Sequence, residues 1–463
     1  MGGKPDPRTQ RPAGAAADVA PARLCAYGVL RRVFEHGAYA DQALHAGSRE
    51  LDARDRALAM RLAYGAVQRR GTLDHLIEQL AARPPERLEA AVLAALRLGL
   101  YELLYLAGSP DYAVVTDAVE LAKANARGGH GLVNAVLRRA AREGAGELLG
   151  ALGESTPEQA AIRHSHPQWL ARMWWRELGA HDARALMAYD NEPGEVAVRV
   201  NTLRSDAAAL ASELPIRSHG DPEIAEALVL EEPFDTHASP LWQAGAFIPQ
   251  SRAAMRVARL LDPQPGERVL DLCAAPGGKS THLAALMDDE GEVLAVERDR
   301  RRAGVLARTA QRLGTASVMI ELADAALPRR EGPVFDRVLV DPPCSGLGVL
   351  QARPDLRWRI TPQRIAEMAS TQARILAAGA QAVRPGGVLV YATCTISPTE
   401  NERPIAAFLD SHPDFRLDDL AGELPALALA GAAAPGGAPA GLLLTLPHRD
   451  RTAGFFIARL RRS

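Results

Sequence analysis

The stretch RVLDLCAAPGGKSTHLAALM, residues 268–287, decides the fold. An apolar run of strand length ends in a turn with two adjacent glycines and passes directly into residues with helical spacing. Further apolar runs follow: EVLAVE (292–297), SVMIE (317–321), DRVLVD (336–341) and GVLVYAT (387–393). Between and after them, residues 301–313, 362–383 and 399–410 carry apolar side chains at intervals of three and four. Alternation of this kind predicts a doubly wound, mainly parallel sheet covered by helices. GLLLTLP (441–447) and GFFIARL (454–460) are expected to close the sheet as two antiparallel strands.

Upstream the periodicity changes. From Leu24 to Glu143 the pattern is helical throughout, with short Gly, Pro and Asp breaks, as in an antiparallel bundle. Residues 156–246 mix a helix bearing Trp169, Trp174 and Trp175 with the strand EVAVRVNTL and further short elements. The tryptophans are expected to be core packing. The reading is therefore multidomain: a disordered tail over 1–23, an all-α bundle over 24–145, a small α+β connector over 156–246 and an α/β domain over 247–463.

Composition agrees with two or three domains in 463 residues, 47% apolar and 24% charged. A net charge of −2 excludes a uniformly basic nucleic-acid binder while leaving room for local basic surface. Only Lys4, Lys123 and Lys279 are lysine among 54 basic residues, so a lysine inside a motif stands out. The four cysteines, Cys25, Cys273, Cys344 and Cys394, form no CxxC pair and no zinc-ligand spacing. Neither a disulfide scaffold nor a metal site is expected, and a reducing cytoplasm is. The first residues lack the apolar region of a signal peptide. The Ala-rich stretch from Ala426 to Leu446 is broken by Pro435, Gly436, Gly437 and Pro439, so it reads as a loop feeding a strand. A soluble monomer without membrane contact is expected.

The loop after the first strand, Cys273, Ala274, Ala275, Pro276, Gly277, Gly278 and Lys279, is the first candidate site. Its glycines permit close backbone approach, and the helix amino end that follows favours negative charge. Gly278-Lys279-Ser280 imitates the end of a phosphate-binding P-loop, but the leading glycine would be residue 273, which is Cys, and Pro276 removes an amide donor. The dinucleotide pattern GxGxxG is absent as well, so nucleotide hydrolysis is excluded. Glu297, at the end of the second strand, is suited to accept from ribose hydroxyls, with Asp299 behind it. Asp324, after the third strand, is placed for an adenine edge. Any one acid here is more often a solvated loop residue. The series Asp271, Glu297, Asp324 and Asp341 after successive strands points to an adenosine-containing cofactor.

Cys344 in DPPCSG and Cys394 in TCTISP each end an apolar β-branched run, where open α/β sheets present side chains to ligands. A lone cysteine is more often a small buried apolar residue, which is the reading for Cys25 and in part for Cys273. Two strand-end thiols suggest nucleophilic chemistry. Enzymes that methylate exocyclic amines carry an aromatic residue after a similar Pro pair; a thiol there points to a carbon acceptor. Carbon 5 of a pyrimidine needs covalent activation, by addition of a thiolate at carbon 6. Asp341 can hydrogen-bond the cytosine edge.

CAAPGGKST, AVERD, DRVLVDPPCSGLGVLQARPDLRWR, LVYATCTISPTENE and GFFIARL resemble the RsmB/Sun group of RNA cytosine-5 methyltransferases. YGVLRRVF, AVELAK and GLVNAVLRRA, in that order, resemble the NusB helical fold. The resemblance covers the chain from about residue 24. It implies a Rossmann-like domain that binds S-adenosyl-L-methionine through Cys273–Lys279, with acids at Glu297, Asp324 and Asp341. It implies methylation of small-subunit ribosomal RNA, at the cytosine numbered 967 in that RNA. It assigns attack to Cys394 and product release to Cys344; DNA cytosine methyltransferases attack with the Pro-Cys thiol, so position alone leaves the order open. Transfer RNA as substrate, or a silent RNA-binding assembly factor, are the alternatives. Two positions depart from the group: Glu297 replaces the usual Asp, and Ala453 precedes Gly454-Phe455-Phe456 where Asp is usual. Arg199, Asn201, Arg353 and Arg357 are candidate RNA-facing residues, and the run Arg298, Arg300, Arg301, Arg302 is a solvated helix start or an RNA contact.

Overall fold

The computed structural model describes residues 19–330, 332–429 and 441–463. The breakers Pro435, Gly436, Gly437 and Pro439, and the expected tail up to residue 18, lie outside the described residues. Pro21 already opens a helix, Pro21–His36, at the first-turn position where the missing amide costs nothing. Residues 21–23 are therefore helical and not tail. No helix among the described residues is long and apolar enough to cross a membrane.

The chain divides into two compact units. The first runs to Glu192 and includes the separate segment Gln351–Arg359. Its helices Pro21–His36, Ala53–Gln68, Ala90–Tyr105, Asp111–Asn125 and His130–Gly150 surround a core that includes Leu30, Leu62, Leu96 and Leu137. Asp52 caps the second of these by accepting the Asp55 amide at 2.8 Å. Trp174 is buried, edge-on to His166 at 5.4 Å, as expected of core packing. Arg357 is fully buried in this unit. Its guanidinium donates to the carbonyls of Gln68, Ser165 and Asp190, and Trp358 donates its indole N–H to the Val67 carbonyl at 2.7 Å. Gln68 ends its helix and Asp190 follows the end of another, where carbonyls lack helical partners, and a forked five-donor cation suits them. Arg357 therefore does not face RNA, and Arg353 lies half-buried with its guanidinium 5.6 Å from the Tyr39 ring.

The second unit, Pro193–Leu350 with Ile360–Ser463, holds two sheets. Strands β1 (Ala197–Val200), β2 (Ser218–Gly220), β3 (Ala227–Leu230) and β4 (Phe247–Pro249) form an antiparallel sheet in the order β2-β3-β1-β4. β4 lies just beyond residue 246, where the reading of periodicity changed domains.

The larger sheet contains β5 (Arg268–Leu272), β6 (Glu292–Glu297), β7 (Val318–Leu322), β8 (Phe335–Val340), β9 (Val383–Thr393), β10 (Phe415–Leu417), β11 (Leu443–Leu444) and β12 (Phe456–Arg462). Its order is β10-β12-β9-β8-β5-β6-β7, with β11 beside β12. β9-β8-β5-β6-β7 are parallel, and β12 runs antiparallel to β9 and to β11. The expected parallel, doubly wound sheet with an antiparallel closing pair is what forms. The strand order reverses beside β5, between β6 and β8, and at such a switch point a cleft opens at the carboxyl ends. Cys273, Asp341 and Cys394 directly follow β5, β8 and β9 at that end.

Candidate active site

The turn after β5 is built by its backbone. Cys273 has φ +67° and Gly277 φ +103°, and Gly277 caps the helix Gly278–Leu286. A Cβ on Gly277 would sit 2.6 Å from Leu306 Cδ1, so the tight approach as well as the positive φ requires glycine. Ser280 Oγ donates to Asp271 Oδ2 at 2.6 Å, and Thr281 Oγ1 donates to the Gly277 carbonyl at 2.7 Å. Arg302 reaches from the next helix to the Ala275 carbonyl at 2.6 Å, giving one member of the arginine run a structural bond.

Acids surround this loop. Burial pushes Asp271 up to about 7, and burial together with Asp341, Asp271 and Glu297 pushes the Cys273 thiol up to about 12. Cys273 is thus a protonated thiol and no nucleophile. Glu297 is buried at the end of β6, with Oε1 accepting the Asp299 amide at 2.9 Å. Asp324 is exposed after β7 and caps the Ala326 amide at 3.0 Å. Glu297 Oε2, Asp271 Oδ1 and both polar atoms of the Gln250 amide are buried without a hydrogen-bond partner. A Cβ on Gly278 would lie 3.7 Å from Gln250 Oε1, so that amide faces the loop. Buried polar atoms are ordinarily satisfied. Unspent acceptors and an amide beside a glycine turn fit a ligand with ribose hydroxyls and an amino-acid end, as S-adenosylmethionine has. Glu297, one methylene longer than Asp, still brings an oxygen without a hydrogen-bond partner to the strand end, with Arg302 Nη1 3.6 Å away.

Arg199 and Asn201, expected to face RNA, are buried. Arg199 Nη1 donates to the Gly278 carbonyl at 2.5 Å and Nη2 to Thr281 Oγ1 at 2.9 Å. Asn201 Nδ2 donates to the carbonyls of Gly245 at 2.9 Å and Leu313 at 2.8 Å. Nearby, Glu226 accepts from His282 Nε2 and from Arg259, at 2.7 and 2.6 Å. All four residues of β1 are buried, so the Val-Arg-Val alternation does not mark a wet face. The small sheet is instead bolted to the cofactor turn by a desolvated guanidinium. Burial pulls Arg199 down to about 9.

The two strand-end thiols meet beyond the ends of β8 and β9. Cys344 Sγ and Cys394 Sγ are 3.2 Å apart. Lys279 Nζ donates to Asp341 Oδ2 at 2.7 Å and stands 5.2 Å from the Phe455 ring. Burial opposes the Lys279 charge, but the Asp341 carboxylate outweighs it and holds the ammonium above its ordinary range. Lys279, read from its neighbours as part of the cofactor loop, therefore also serves the thiol side. The bond to Cys394, burial, and the charges of Cys394 and Glu400 push Cys344 well up. Cys394 is lowered, first by the hydrogen bond from Cys344, with Lys279 assisting against burial, Asp341 and Glu400. Of the two thiols, Cys394 is the one that ionises more readily. Backbone bonds brace the pair: Gly348 N–H to the Cys394 carbonyl at 3.0 Å, and Gly454 N–H to the Gly348 carbonyl at 2.7 Å. Gly454 keeps that contact although Ala453 replaces the usual Asp. Gln250, Glu226 and His282 went unread in the sequence, and Glu400 stood within LVYATCTISPTENE without a role; each acts on a partner at least 28 residues away or across a turn.

Comparison with known proteins agrees with this fold. Family models match in chain order: the NusB family over residues 20–142, the RsmF/B-like ferredoxin-like domain over 166–237, and 16S rRNA methyltransferase RsmB/F over 258–461. The probable ribosomal RNA small subunit methyltransferase B of Synechocystis is 37% identical over 453 residues, covering 96% of this chain and 99% of the relative. The Thermus thermophilus ribosomal RNA small subunit methyltransferase B is 37% identical, covering 88% of this chain and 89% of the relative. The solved structure of PH0851 superposes with TM-score 0.76 at 26% identity, covering 96% of this chain and 99% of that one. NSun6 from Pyrococcus horikoshii superposes with TM-score 0.56 at 25% identity, covering 64% and 98%. The paired thiols, the glycine turn and a full-length match lead to one assignment: the chain belongs to the ribosomal RNA small subunit methyltransferase B family of S-adenosylmethionine-dependent RNA methyltransferases.

Proposed function

We propose that this chain methylates carbon 5 of a cytosine in small-subunit ribosomal RNA, the position numbered 967 in that RNA, through a covalent adduct on Cys394. The observation that carries the reading is the 3.2 Å thiol pair beside the Lys279–Asp341 ion pair. The names of the full-length relatives support ribosomal RNA as the substrate.

Carbon 5 of cytosine is a weak nucleophile. The Cys394 thiolate adds to carbon 6, and the electron pair moves to carbon 5. Asp341 is placed to bind the ring's amidine edge, with Lys279 holding the carboxylate in orientation. Bound S-adenosylmethionine would supply an electrophilic methyl group to carbon 5 and leave as the neutral thioether S-adenosylhomocysteine. Loss of the carbon 5 proton to a base then restores the double bond, and the bond from carbon 6 to the Cys394 sulfur breaks to regenerate the thiolate. Cys344, within hydrogen-bond reach of that sulfur, stabilises the departing thiolate. A thiol is suited to both ends of this sequence because its anion attacks and leaves readily. The turn Cys273–Lys279 with Glu297 and Asp324 would hold the cofactor. The target base must leave its stack first, at a cost of a few kcal/mol. The enzyme acts in the cytoplasm. Incubation with methyl-labelled S-adenosylmethionine and unmodified small-subunit RNA should give 5-methylcytosine on nucleoside analysis; label in no nucleoside, or in another one, overturns the proposal.

A further inference from the structure

Glu400 is fully buried, immediately beneath the two cysteine loops. Its Oε1 accepts the Ser345 amide at 2.8 Å and Gln372 Nε2 at 3.0 Å. Its Oε2 accepts Ser345 Oγ–H at 2.5 Å and Thr395 Oγ1–H at 3.3 Å. Ser345 directly follows Cys344, and Thr395 directly follows Cys394. Ser345 Oγ and Thr395 Oγ1 themselves lie 2.7 Å apart. Gln372 also donates to the Pro343 carbonyl at 2.9 Å, and Tyr391 donates its hydroxyl to the Glu400 carbonyl at 2.7 Å. The donors to this carboxylate are neutral, so its charge is compensated by hydrogen bonds alone. Burying an acid in that way costs more than an apolar side chain of the same volume would. Such a fully connected polar cluster suits one fixed arrangement of its members.

We propose that Glu400 is a positioning residue that frames the two thiols, holding the loop after β8 and the loop after β9 at one separation so that the two sulfurs keep their contact and react unequally. The proposal rests on the reading of Cys394 as nucleophile but concerns what makes it so. One carboxylate grips the residue next to each cysteine, while its negative charge opposes an anion at either sulfur. The frame therefore acts through the geometry it imposes on the pair. Without it, either loop is free to rotate its sulfur out of the 3.2 Å contact, and the preference for Cys394 fades.

The test needs neither RNA nor cofactor. Full-length protein is labelled with iodoacetamide from pH 6 to 10, and the rates at Cys344 and Cys394 are followed separately by peptide mass spectrometry. In the native chain Cys394 reacts first and at lower pH. Glu400→Gln keeps the shape, removes the charge and presents an NH2 where an acceptor is needed. The ratio of Cys394 to Cys344 labelling should fall several-fold. Ser345→Ala removes one donor and leaves the carboxylate, so it should lower the ratio by a smaller factor. If Glu400→Gln does not fold, as judged by thermal unfolding, Ser345→Ala decides alone. An unchanged ratio and unchanged pH profile in a folded variant overturns the frame. A native protein that fails to make 5-methylcytosine, yet shows the ratio collapsing in Glu400→Gln, sinks the proposed activity and leaves the frame standing.

Discussion

Replacing Arg199 by Met separates two readings of the strand VRVNTL. As an RNA contact, Arg199 would bind phosphate, and its loss would weaken RNA binding while sparing the cofactor. In the structure it is 1% exposed and spends its guanidinium on Gly278 and Thr281, at 2.5 and 2.9 Å, in the first turn of the helix that follows the cofactor loop. Hydrogen bonds from a charged donor contribute about 1.5–3 kcal/mol each. Burial, which pulls Arg199 down to about 9, offsets part of that, because removing the cation also removes its desolvation cost. Glu226 keeps His282 and Arg259, so no uncompensated carboxylate remains. A net destabilisation of about 2–3 kcal/mol is expected, within the range of about 1–3 kcal/mol for leaving a buried polar group without its partner. Some of this falls on the cofactor turn. About 1.4 kcal/mol of lost preorganisation weakens S-adenosylmethionine binding tenfold. Calorimetric titration of the cofactor into Arg199→Met and Arg199→Lys, with thermal unfolding of each without cofactor, tests both parts. Lysine can reach one acceptor and should restore part of the affinity and of the thermal midpoint. Cofactor Kd within twofold of the native value, together with weakened RNA binding, would refute the argument.

Two other perturbations follow from the same packing. Burial and the nearby Arg199 hold His282 down to about 4 from an ordinary 6.5. A folded-state pKa below the unfolded one means the unfolded chain binds the extra proton, so this stabilisation is complete above pH 6.5 and is lost as pH falls through 4. The loss is about 3 kcal/mol. Asp271, raised to about 7, works oppositely: its stabilisation is present below pH 4 and is lost as pH rises through 7. Denaturant unfolding of the native chain and His282→Gln at pH 4 and pH 7 isolates the first effect, and identical acid losses in both would contradict it. At Gly348 an added Cβ would lie 2.0 Å from the Gly454 carbonyl oxygen, backbone against backbone. Gly348→Ala must therefore part the braces around Cys394, at a cost of about 1–3 kcal/mol, and should slow methyl transfer at least tenfold while leaving cofactor binding intact; a native rate would show that the brace is dispensable.

The parallel sheet was legible because buried parallel strands are near-continuous apolar runs, as VLDL, VLAV and RVLV are. Each turn residue then fell where a strand had to end, which exposed Cys344 and Cys394. β2, β3 and β10 went unread because strands of three or four residues carry no periodicity of their own. Arg199 and Arg357 misled for a physical reason. An arginine in sequence looks like a solvated charge, and only long-range folding reveals the free carbonyls that receive it. Lys279 was assigned to the cofactor by its neighbours, yet Asp341, 62 residues away, claims its ammonium. The contact between the thiols was likewise invisible, since 50 residues separate them and the bracing by Glu400 appears only in the fold.

The most direct measurement of the central claim is the covalent adduct itself. Native, Cys344→Ala and Cys394→Ala proteins are each incubated with unmodified small-subunit RNA and S-adenosylmethionine, denatured, and resolved by mass. Cys344→Ala should accumulate a protein–RNA species whose linked peptide contains Cys394, because attack proceeds while release is impaired. Cys394→Ala should accumulate none. An adduct on Cys344 in the Cys394→Ala protein, with none in Cys344→Ala, would reverse the assignment and contradict the account.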